Sequence, residues 1–529
     1  MPMKLIDCRL GQPPIYPPTF FLFIGSFSTI AFLLCIRHAW KRYQKRVEQM
    51  FAAQQGCKRP TSWTAKWPLG LDLLLRVFQA AKKDRILSFF YEIVQESGST
   101  FVQHLLGVSG IDTIDPENIE SILSTNFKDY DLGLRPKTFR ALLGSGIFTQ
   151  DGIDWKHSRH LLRPQFTSNR AQNFVEIQQC VQRLIHSIPK DGIVDLQPLF
   201  FKLTFETTMF LLFGEYVYQL YDVAAQESEF ANAFDFAQEY LARRGRLGDM
   251  YWLYNDRKFD DACKICHGFV DRAVARALEA SAAKRSQAGE DGRGYVFIEA
   301  LVQQPQDPIV LRDQCLNVLL AGRDTTGCCL TWTFRLLARH QEVLQRLRNE
   351  IRDIVGLGPD SLPPQREALK RMPYLAMVIK EVLRLYPSVP VNSRAATKMT
   401  TIPVGGGPDG KSPMLVRKGQ AVGYCVYLLH RRKDIYGEDA DEFRPERWGG
   451  DELKNIHSYA YLPFNGGPRA CLGQEFALLE VSYTVVRLIQ LLPKIEFPPT
   501  EPNLKVGDER QHLTLVLSCA EGYTVSMQG

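Results

Sequence analysis

A break in regular structure, followed at once by a helix, constrains this chain more than any other feature, and it holds a single cysteine. Residues 464–473 read FNGGPRACLG, in which two glycines and a proline stop any helix or strand before Cys471. The segment EFALLE, which follows shortly after, is rich in good helix formers. We therefore expect Cys471 just ahead of a helix N-terminus, where the dipole and free backbone N–H groups lower a thiol pKa and hold a thiolate.

This setting suits a haem iron bound through Cys471, because a thiolate ligand pushes electron density onto the iron and favours O–O cleavage. Phe464 would pack against the haem face and Arg469 would pair with a propionate. Gly466 and Gly473 would let the backbone approach a flat macrocycle closely. A lone cysteine in a turn is more often an ordinary buried thiol. The ordered set Phe-x-x-Gly-x-Arg-x-Cys-x-Gly, however, resembles the haem-binding signature of the cytochrome P450 family.

A long helix is predicted from Pro308 to about His340, with Asp307 as its N-cap and the proline at its first position. Near its middle stands AGRDTTG at 321–327. Two glycines flanking two β-branched residues weaken helical hydrogen bonding locally and favour a groove for dioxygen and water. A purely structural kink is the alternative interpretation of the same residues.

The segment also resembles the family pattern Ala-Gly-x-Asp-Thr-Thr. The resemblance implies that Asp324 relays protons and that Thr325 hydrogen-bonds oxygen at the haem. Animal fatty-acid hydroxylases of this superfamily often carry a Glu where Ala321 stands, and that Glu bonds covalently to haem. The resemblance therefore implies a noncovalently bound haem here.

Two further segments carry haem contacts by resemblance. Trp155 and Arg159 lie one helical turn apart and share a face, like the helix of the family that contacts a haem propionate. Residues 389–394, VPVNSR, are predicted to form a strand. In this strand Val389 to Val391 would face the substrate and Arg394 would reach a propionate.

Glu381 and Arg384 are three residues apart on a predicted helix, and Arg447 follows within FRPERW at 443–448. An i,i+3 ion pair is usually a solvated surface feature of about 0.2–0.5 kcal/mol. The resemblance implies instead that the three residues form a buried charged triad, which stabilises the fold and takes no part in the chemistry.

Two motifs are rejected on their context. Residues 263–267, CKICH, match the attachment pattern of c-type haem, but they lie in a continuous helical pattern from about Phe259 to Leu278. Residues 405–410, GGGPDG, have the letters of a dinucleotide fingerprint, yet a strand follows them where the true motif opens a helix. We interpret them as a hairpin loop, so electrons are expected from a partner protein.

Several other segments are predicted from composition and pattern. Residues 101–106 and 110–114 are predicted strands, and Asp115 is expected to cap a helix to about Leu123. Residues 132–152 are predicted to form a flexible loop above a pocket, in which Arg135 would hold a substrate carboxylate, and residues 282–294 are predicted to form a mobile loop. Residues 513–517 and 523–525 are predicted to form a closing hairpin whose tip at 518–522 lines the pocket. Residues 230–254 carry many aromatics, with Arg243, Arg244 and Arg246 in a predicted turn; helix packing is one interpretation, and the resemblance implies instead that they form the roof of the substrate channel.

The run from Thr19 to Ile36 is apolar and uncharged, and a bilayer core needs roughly 17–25 such residues. Basic residues follow between Arg37 and Arg46 in place of a small-residue cleavage site, which argues against a signal peptide. We predict a short N-terminal segment at 1–18, a single transmembrane anchor at 19–36, a basic flank and linker at 37–66, and a cytochrome P450 catalytic domain at 67–529. The predicted location is the endoplasmic reticulum membrane, with the catalytic domain in the cytosol.

The composition, 45% hydrophobic and 23% charged, is typical of a globular protein with a large core. The net charge of +6 is modest, and no basic stretch alternates with stacking aromatics, so nucleic-acid binding is not expected. The 12 cysteines show no regular spacing and indicate free thiols in a reducing compartment.

The resemblance implies a mainly α fold, the helical haem-thiolate domain of the cytochrome P450 family with a small β-sheet region, behind an N-terminal transmembrane helix. It implies a monooxygenase with noncovalent haem (heme b) and O₂. The electrons would come from NADPH through NADPH–cytochrome P450 reductase, with cytochrome b5 as a further candidate donor.

Segments such as GIFT at 146–149, LRLYPSVP at 383–390 and GGGPDG at 405–410 resemble the fungal alkane- and fatty-acid-hydroxylating branch. The expected substrate is therefore a hydrophobic long-chain fatty acid or n-alkane, hydroxylated at or near its terminal carbon. An intermediate of fungal secondary metabolism is the alternative substrate. A haem-thiolate isomerase or dehydratase without a reductase, and a haem sensor without turnover, are alternatives of other classes. The Asp324–Thr325 pair argues against the isomerase.

Overall fold

The computed structural model describes residues 18–63, 66–167, 170–189, 191–214, 224–286, 307–499 and 504–528. The chain forms two compact units, the first ending at Lys58 and the second beginning at Arg59. In the first unit the described residues form helix α1 (Pro18–Gln54), which contains the apolar run of 19–36. Within the described ranges, no helix has the length and apolarity that a membrane span requires.

The second unit is mainly helical. In the residues that the structure describes, its α-helices are α2 (Leu71–Lys82), α3 (Ile86–Ser97), α4 (Pro116–Glu120), α5 (Arg135–Leu143), α6 (Gly152–Thr167), α7 (Arg170–Ser187), α8 (Leu196–Phe213), α9 (Ala224–Arg246), α10 (Arg257–Ser286), α11 (Pro308–Arg339), α12 (Gln341–Val355), α13 (Arg366–Lys370), α14 (Pro373–Leu385), α15 (Val426–Leu429), α16 (Lys433–Tyr436) and α17 (Gln474–Leu491).

Short strands form small sheets beside these helices. They are β1 (Thr100–Leu105), β2 (Val108–Thr113), β3 (Tyr130–Asp131), β4 (Asp191–Asp195), β5 (Val391–Ala396), β6 (Thr400–Gly406), β7 (Ser412–Val416), β8 (Ala421–Cys425), β9 (Lys494–Glu496), β10 (Gln511–Leu513), β11 (Leu517–Cys519) and β12 (Thr524–Gln528). A five-stranded sheet has the order β1-β2-β8-β5-β3, and a three-stranded sheet has the order β4-β12-β9. The pairs β6–β7 and β10–β11 are separate hairpins.

Helix α11 forms the centre of the second unit, and the predicted helix start is confirmed. The Asp307 carboxylate accepts the backbone N–H of Ile309 at 2.9 Å, and most side chains from Leu311 to Ala338 are buried. Helix α11 is continuous through residues 321–327. A Cβ added to Gly322 would lie 2.4 Å from the Thr208 hydroxyl oxygen of α8. The glycines therefore permit close packing of two helices.

The C-terminal strands pair differently from the prediction. Strand β10 pairs with β11, whereas β12 pairs with β4 and β9, so 513–517 and 523–525 do not form one hairpin. The hairpin connection that lines the main cavity is Thr514–Val516, and the predicted tip at 518–522 does not line it. Strand β12 pairs with β4 along its whole length, from Thr524 to Gln528, and this pairing is longer than a hairpin with the preceding strand would allow.

Three local predictions also need correction. Residues 132–152 contain helix α5 and are not one loop. Asp115 precedes α4, but its side chain makes no capping hydrogen bond; its carboxylate accepts from Ser99 and Thr100 and pairs with Arg432 instead. Helix α10 continues to Ser286 through part of the predicted mobile loop, and the rest of that loop lies outside the described residues.

A buried carboxyl group joins α17 to α8. Glu480 is 1% exposed, and the Thr207 hydroxyl donates to its Oε1 at 2.5 Å. Burial raises the pKa of Glu480 to about 8, although the Thr207 hydrogen bond opposes the shift. The carboxyl is therefore neutral in the folded protein at neutral pH, whereas it ionises in the unfolded chain.

Glu480→Gln is expected to remove a pH dependence of stability. A carboxyl whose folded pKa is raised stabilises the fold fully below its unfolded pKa, and this contribution is lost as the pH rises toward 8. Each pH unit above about 5 should lower the free energy of unfolding of the wild type by up to about 1.4 kcal/mol relative to the variant. Denaturant unfolding at pH 5 to 8 measures this. Glu475→Gln, on an exposed position of the same helix, is the control, and equal slopes for all three proteins would refute the expectation.

Candidate active site

A cavity of about 1070 Å³ lies between α11, the β5–β8 region and the loop that precedes α17. Cys471 and Thr325 both line this cavity, although they are far apart in the sequence. Its other walls are mostly aliphatic and aromatic, and they include Phe148, Val318 and Leu515. The fold thus brings the predicted thiolate and the predicted alcohol to one cavity.

Backbone hydrogen bonds within the loop before Cys471 stabilise its conformation. The Cys471 N–H donates to the Phe464 carbonyl at 2.9 Å, and residues 467–469 form one turn of 3₁₀ helix. Gly467 has φ +65°, and a Cβ there would lie 1.9 Å from the Leu123 carbonyl oxygen. Only glycine fits this position. Helix α17 begins at Gln474, so the prediction that the cysteine stands just ahead of a helix is confirmed.

The net pKa shift of Cys471 is opposite to the prediction. The backbone N–H groups of Gly473 and Gln474 and the charge of Arg159 do lower the pKa of the thiol, as expected at a helix start. Burial among surrounding protein atoms is the larger effect and raises the pKa above its usual value. The side chain nevertheless faces the cavity. A positive centre in the cavity would be needed to hold the thiolate.

Four arginines surround the cysteine side of the cavity, namely Arg135, Arg159, Arg394 and Arg469. We call them the arginine cluster. Arg159 donates to the Ala470 carbonyl at 2.9 Å, which ties α6 to the cysteine loop. Arg469 pairs with Asp151 at 2.6 Å and lies 4.4 Å above the Trp155 ring. The predicted pair Trp155 and Arg159 shares one face, which lines the cavity.

The positive charge of the arginine cluster is not balanced by the carboxylates around it among the residues that the structure describes. Burial, followed by the charge of Arg394, lowers the pKa of Arg135 to about 10. Burial also lowers the pKa of Arg469 to about 10, although Asp151 opposes the shift. Arg394 is 3% exposed, and its Nε makes no hydrogen bond to any residue in the described part of the chain. A ligand with two carboxylates would supply the missing charge and acceptors.

These residues fit haem. Its two propionates match a buried cationic cluster with an orphaned N–H, and its iron matches a cysteine that faces the same cavity. Phe464 and Gly473 line the cavity as predicted. Gly466 does not line it; a Cβ there would lie 2.6 Å from the Tyr459 ring, so Gly466 serves packing within the protein.

Thr325 and Asp324 occupy different faces of α11. Thr325 lines the cavity, and its hydroxyl donates to the Ala321 carbonyl at 2.6 Å. Asp324 is 3% exposed and does not line the cavity. Its Oδ1 accepts from Arg323 at 2.7 Å, and Arg323 also pairs with Asp235 of α9. Burial raises the pKa of Asp324 to about 6, although the Arg323 charge opposes the shift.

The triad inferred for Glu381, Arg384 and Arg447 is present, and all three side chains are fully buried. The Glu381 carboxylate accepts hydrogen bonds from Arg384 Nη2 at 2.8 Å and from Arg447 Nε at 2.9 Å. Trp448 also donates to Glu381 at 2.9 Å. The triad joins α14 to the segment that precedes the cysteine loop and does not line the cavity.

Sequence reasoning misplaced Arg135 and missed Asn465. Arg135 starts α5 and donates to the Asn392 side chain, so it belongs to the arginine cluster and not to the far end of the substrate channel. Asn465 has φ +60° and accepts the Tyr424 hydroxyl at 3.1 Å. The sequence signal for it is an Asn directly before two glycines, because Asn adopts positive φ more readily than most residues.

Comparison with known proteins agrees with this site. Residues 66–514 match the family described as Cytochrome P450. A protein of Arthroderma benhamiae named Cytochrome P450 is 58% identical over 499 residues, which covers 94% of this chain and 97% of the relative. Cytochrome P450 52A13 of Debaryomyces hansenii is 45% identical over 85% of this chain and 89% of its own. Cytochrome P450 monooxygenase g430 of a Fusarium species is 40% identical over 93% of this chain and 86% of its own. The chain belongs to the cytochrome P450 family and is a monooxygenase.

Proposed function

We propose that this P450 monooxygenase inserts one oxygen atom from O₂ into a C–H bond at or near the end of a long aliphatic chain. The observation that carries the proposal is one cavity that joins Cys471 and Thr325 to aliphatic and aromatic walls. Burying each CH₂ of a chain contributes about 0.8 kcal/mol, so such walls favour long hydrocarbon substrates. The resemblance of 146–149, 383–390 and 405–410 to the fungal alkane and fatty-acid hydroxylases points to the same class.

From the sequence, the aliphatic pairs 142–143 and 319–320 and the segment 389–391 are predicted to line the substrate pocket. The structure revises part of this prediction. Leu320, Val389 and Val391 line the cavity. Leu142, Leu143 and Leu319 do not line it and are fully buried in the core between α5, α10 and α11. The wall near α5 is formed by Phe139, Ile147 and Phe148 instead.

In the mechanism, Cys471 would hold the haem iron and the arginine cluster would hold the propionates. Bound haem supplies the activation of O₂, which no side chain here can perform. The Thr325 hydroxyl lies on the cavity wall and donates a hydrogen bond to the Ala321 carbonyl, which leaves its oxygen free to act as an acceptor. Its oxygen can therefore accept a hydrogen bond from water and keep a proton supply beside the reacting centre. Burial raises the pKa of Asp324 to about 6. After a rotation of its side chain toward the cavity, Asp324 would exchange protons with the water that is hydrogen-bonded to Thr325.

Thr325→Ala is expected to preserve haem and substrate binding and to waste NADPH as hydrogen peroxide. General acid–base groups contribute about 10²–10⁴ in rate, so the product formed per NADPH should fall by about tenfold or more. NADPH oxidation, product and peroxide are measured together. Thr331→Ala is the matched control, because Thr331 makes the same helix contact, to the Gly327 carbonyl at 2.9 Å, away from the cavity. Unchanged coupling in the Thr325 variant would exclude this role.

The substrate is tested with purified holoenzyme and reductase, offered n-alkanes and saturated fatty acids of graded length. Spectral shifts of the haem and terminal alcohol products are expected. If no chain shifts the spectrum or yields an alcohol, a secondary metabolite becomes the better assignment.

A reductase is proposed as the electron donor, because P450 enzymes of this type need a redox partner. NADPH–cytochrome P450 reductase is the proposed donor. Lys156 and Arg163 are exposed on α6, the helix that also carries Arg159. They are candidate contacts for an acidic reductase surface.

The proposed location is the endoplasmic reticulum membrane, with an anchor at 19–36 followed by the basic flank from Arg37. In intact microsomes, protease added outside is expected to digest the catalytic domain. A lumenal resident protein is the control for membrane integrity. Protection of the domain until detergent is added would reverse the proposed topology.

A further inference from the structure

Within the described part of the chain, one cationic side chain lines the cavity outside the arginine cluster. Arg246 lies in the last turn of α9, and its Nη2 donates to the Leu513 carbonyl at 2.8 Å, next to the β10–β11 connection. Among the described residues that line the cavity, the cationic side chains are Arg246 and the members of the arginine cluster. Its electrostatic neighbours are Arg243 and Glu239, and no member of the arginine cluster is among them. The two cationic sites are therefore separate.

The neighbouring arginines show that Arg246 is different. Arg243 pairs with Glu239 and donates to the Tyr254 hydroxyl at 2.9 Å. Arg244 donates to the Asn255 side chain at 2.7 Å and lies 4.7 Å above the Phe259 ring. Within the described residues, no carboxylate forms an ion pair with Arg246, and its guanidinium donates to a neutral carbonyl.

The surroundings of Arg246 leave room for a ligand. Gly245 and Gly248 line the cavity on either side of it, and a Cβ added to either glycine meets no atom within 4 Å. Leu247, Met250 and Leu515 provide apolar walls nearby. Burial and the charge of Arg243 lower the pKa of the guanidinium, so an anion beside it would be stabilising. A planar guanidinium fits a carboxylate with two parallel hydrogen bonds.

We infer that Arg246 binds the carboxylate of a long-chain fatty acid, so that the acid enters with its alkyl end directed toward Thr325 and Cys471. This inference rests on the proposed function and adds that a free acid is preferred over an alkane of equal length. An alkane would leave the guanidinium without a partner. Arg246 would then determine specificity through the far end of the substrate.

The test uses holoenzyme and measures binding by calorimetry and, independently, by the haem spectral shift. The probes are a saturated C16 fatty acid, the C16 primary alcohol and the C16 alkane. Charge-assisted hydrogen bonds are worth more than neutral ones, so Arg246→Gln should bind the acid about tenfold to a hundredfold more weakly. Affinities for the alcohol and alkane should be unchanged, and Arg246→Lys should retain part of the acid affinity.

Arg243→Gln is the matched control, because Arg243 is on the same turn and pairs with protein groups. The reduced carbon-monoxide spectrum verifies that each variant retains intact haem. Equal acid affinity in the wild type and Arg246→Gln would overturn the inference and leave the proposed function standing. Absence of binding by every chain to the wild type would overturn both.

Discussion

Replacing Cys471 by serine is expected to abolish monooxygenase activity and the thiolate-type spectrum of the reduced carbon-monoxide complex. Cys471 faces the cavity at the start of α17 and is flanked by the backbone N–H groups of Gly473 and Gln474. A serine hydroxyl would fill the same space, but it cannot supply the electron density that favours O–O cleavage. The loop itself should persist, because its hydrogen bonds run through the backbone.

The measurements are turnover with reductase, the carbon-monoxide difference spectrum and circular dichroism. Cys425→Ala is the matched control, because Cys425 also lines the cavity but lies at the end of β8. The control should keep the thiolate spectrum. Survival of that spectrum in Cys471→Ser would show that another residue holds the iron.

Glu381→Ala is expected to cost about 3–5 kcal/mol of stability, a large part of the about 5–15 kcal/mol that holds a typical domain folded. The substitution leaves Arg384 and Arg447 without the carboxylate between them, and both guanidinium groups are fully buried. Although burial opposes the shift, the two arginines lower the pKa of Glu381, so it is ionised in the fold. The loosened segment precedes the cysteine loop, so haem retention should fall as well.

Denaturant unfolding and the ratio of haem to protein measure these effects. Arg346→Ala is the control, because it removes an ion pair of similar length, 2.8 Å to Glu446, in which the two side chains are 59% and 38% exposed. Exposed pairs contribute about 0–1 kcal/mol, so this variant should remain close to the wild type. A loss below about 1 kcal/mol in Glu381→Ala would contradict a structural role for the triad.

Local sequence was sufficient for the elements whose boundaries are set by a few neighbouring residues. Asp307 and Pro308 specify the start of α11 through a cap and a fixed φ. The glycines and proline at 466–468 end regular structure before Cys471, and good helix formers begin α17 after it. These features depend on steric and hydrogen-bonding preferences within one or two turns.

Tertiary structure decided what depends on distant parts of the chain. Asp324 and Thr325 are adjacent, yet about 100° of helix rotation separates them, and α9 supplies Asp235 to hold the pair of Asp324 and Arg323 away from the cavity. Arg135 joins the arginine cluster only because β5 brings Asn392 beside it. β12 pairs with β4 across more than 300 residues of chain, which no local pattern predicts.

The pKa of Cys471 shows the same division within one residue. The sequence by itself determined the helix start and therefore the N–H groups that favour a thiolate. Burial in the tertiary structure outweighs these N–H groups and raises the pKa of the thiol. Local geometry determines where a side chain points. The free energy of its charged form depends in addition on all the protein atoms that displace water from it, and these come from the whole fold.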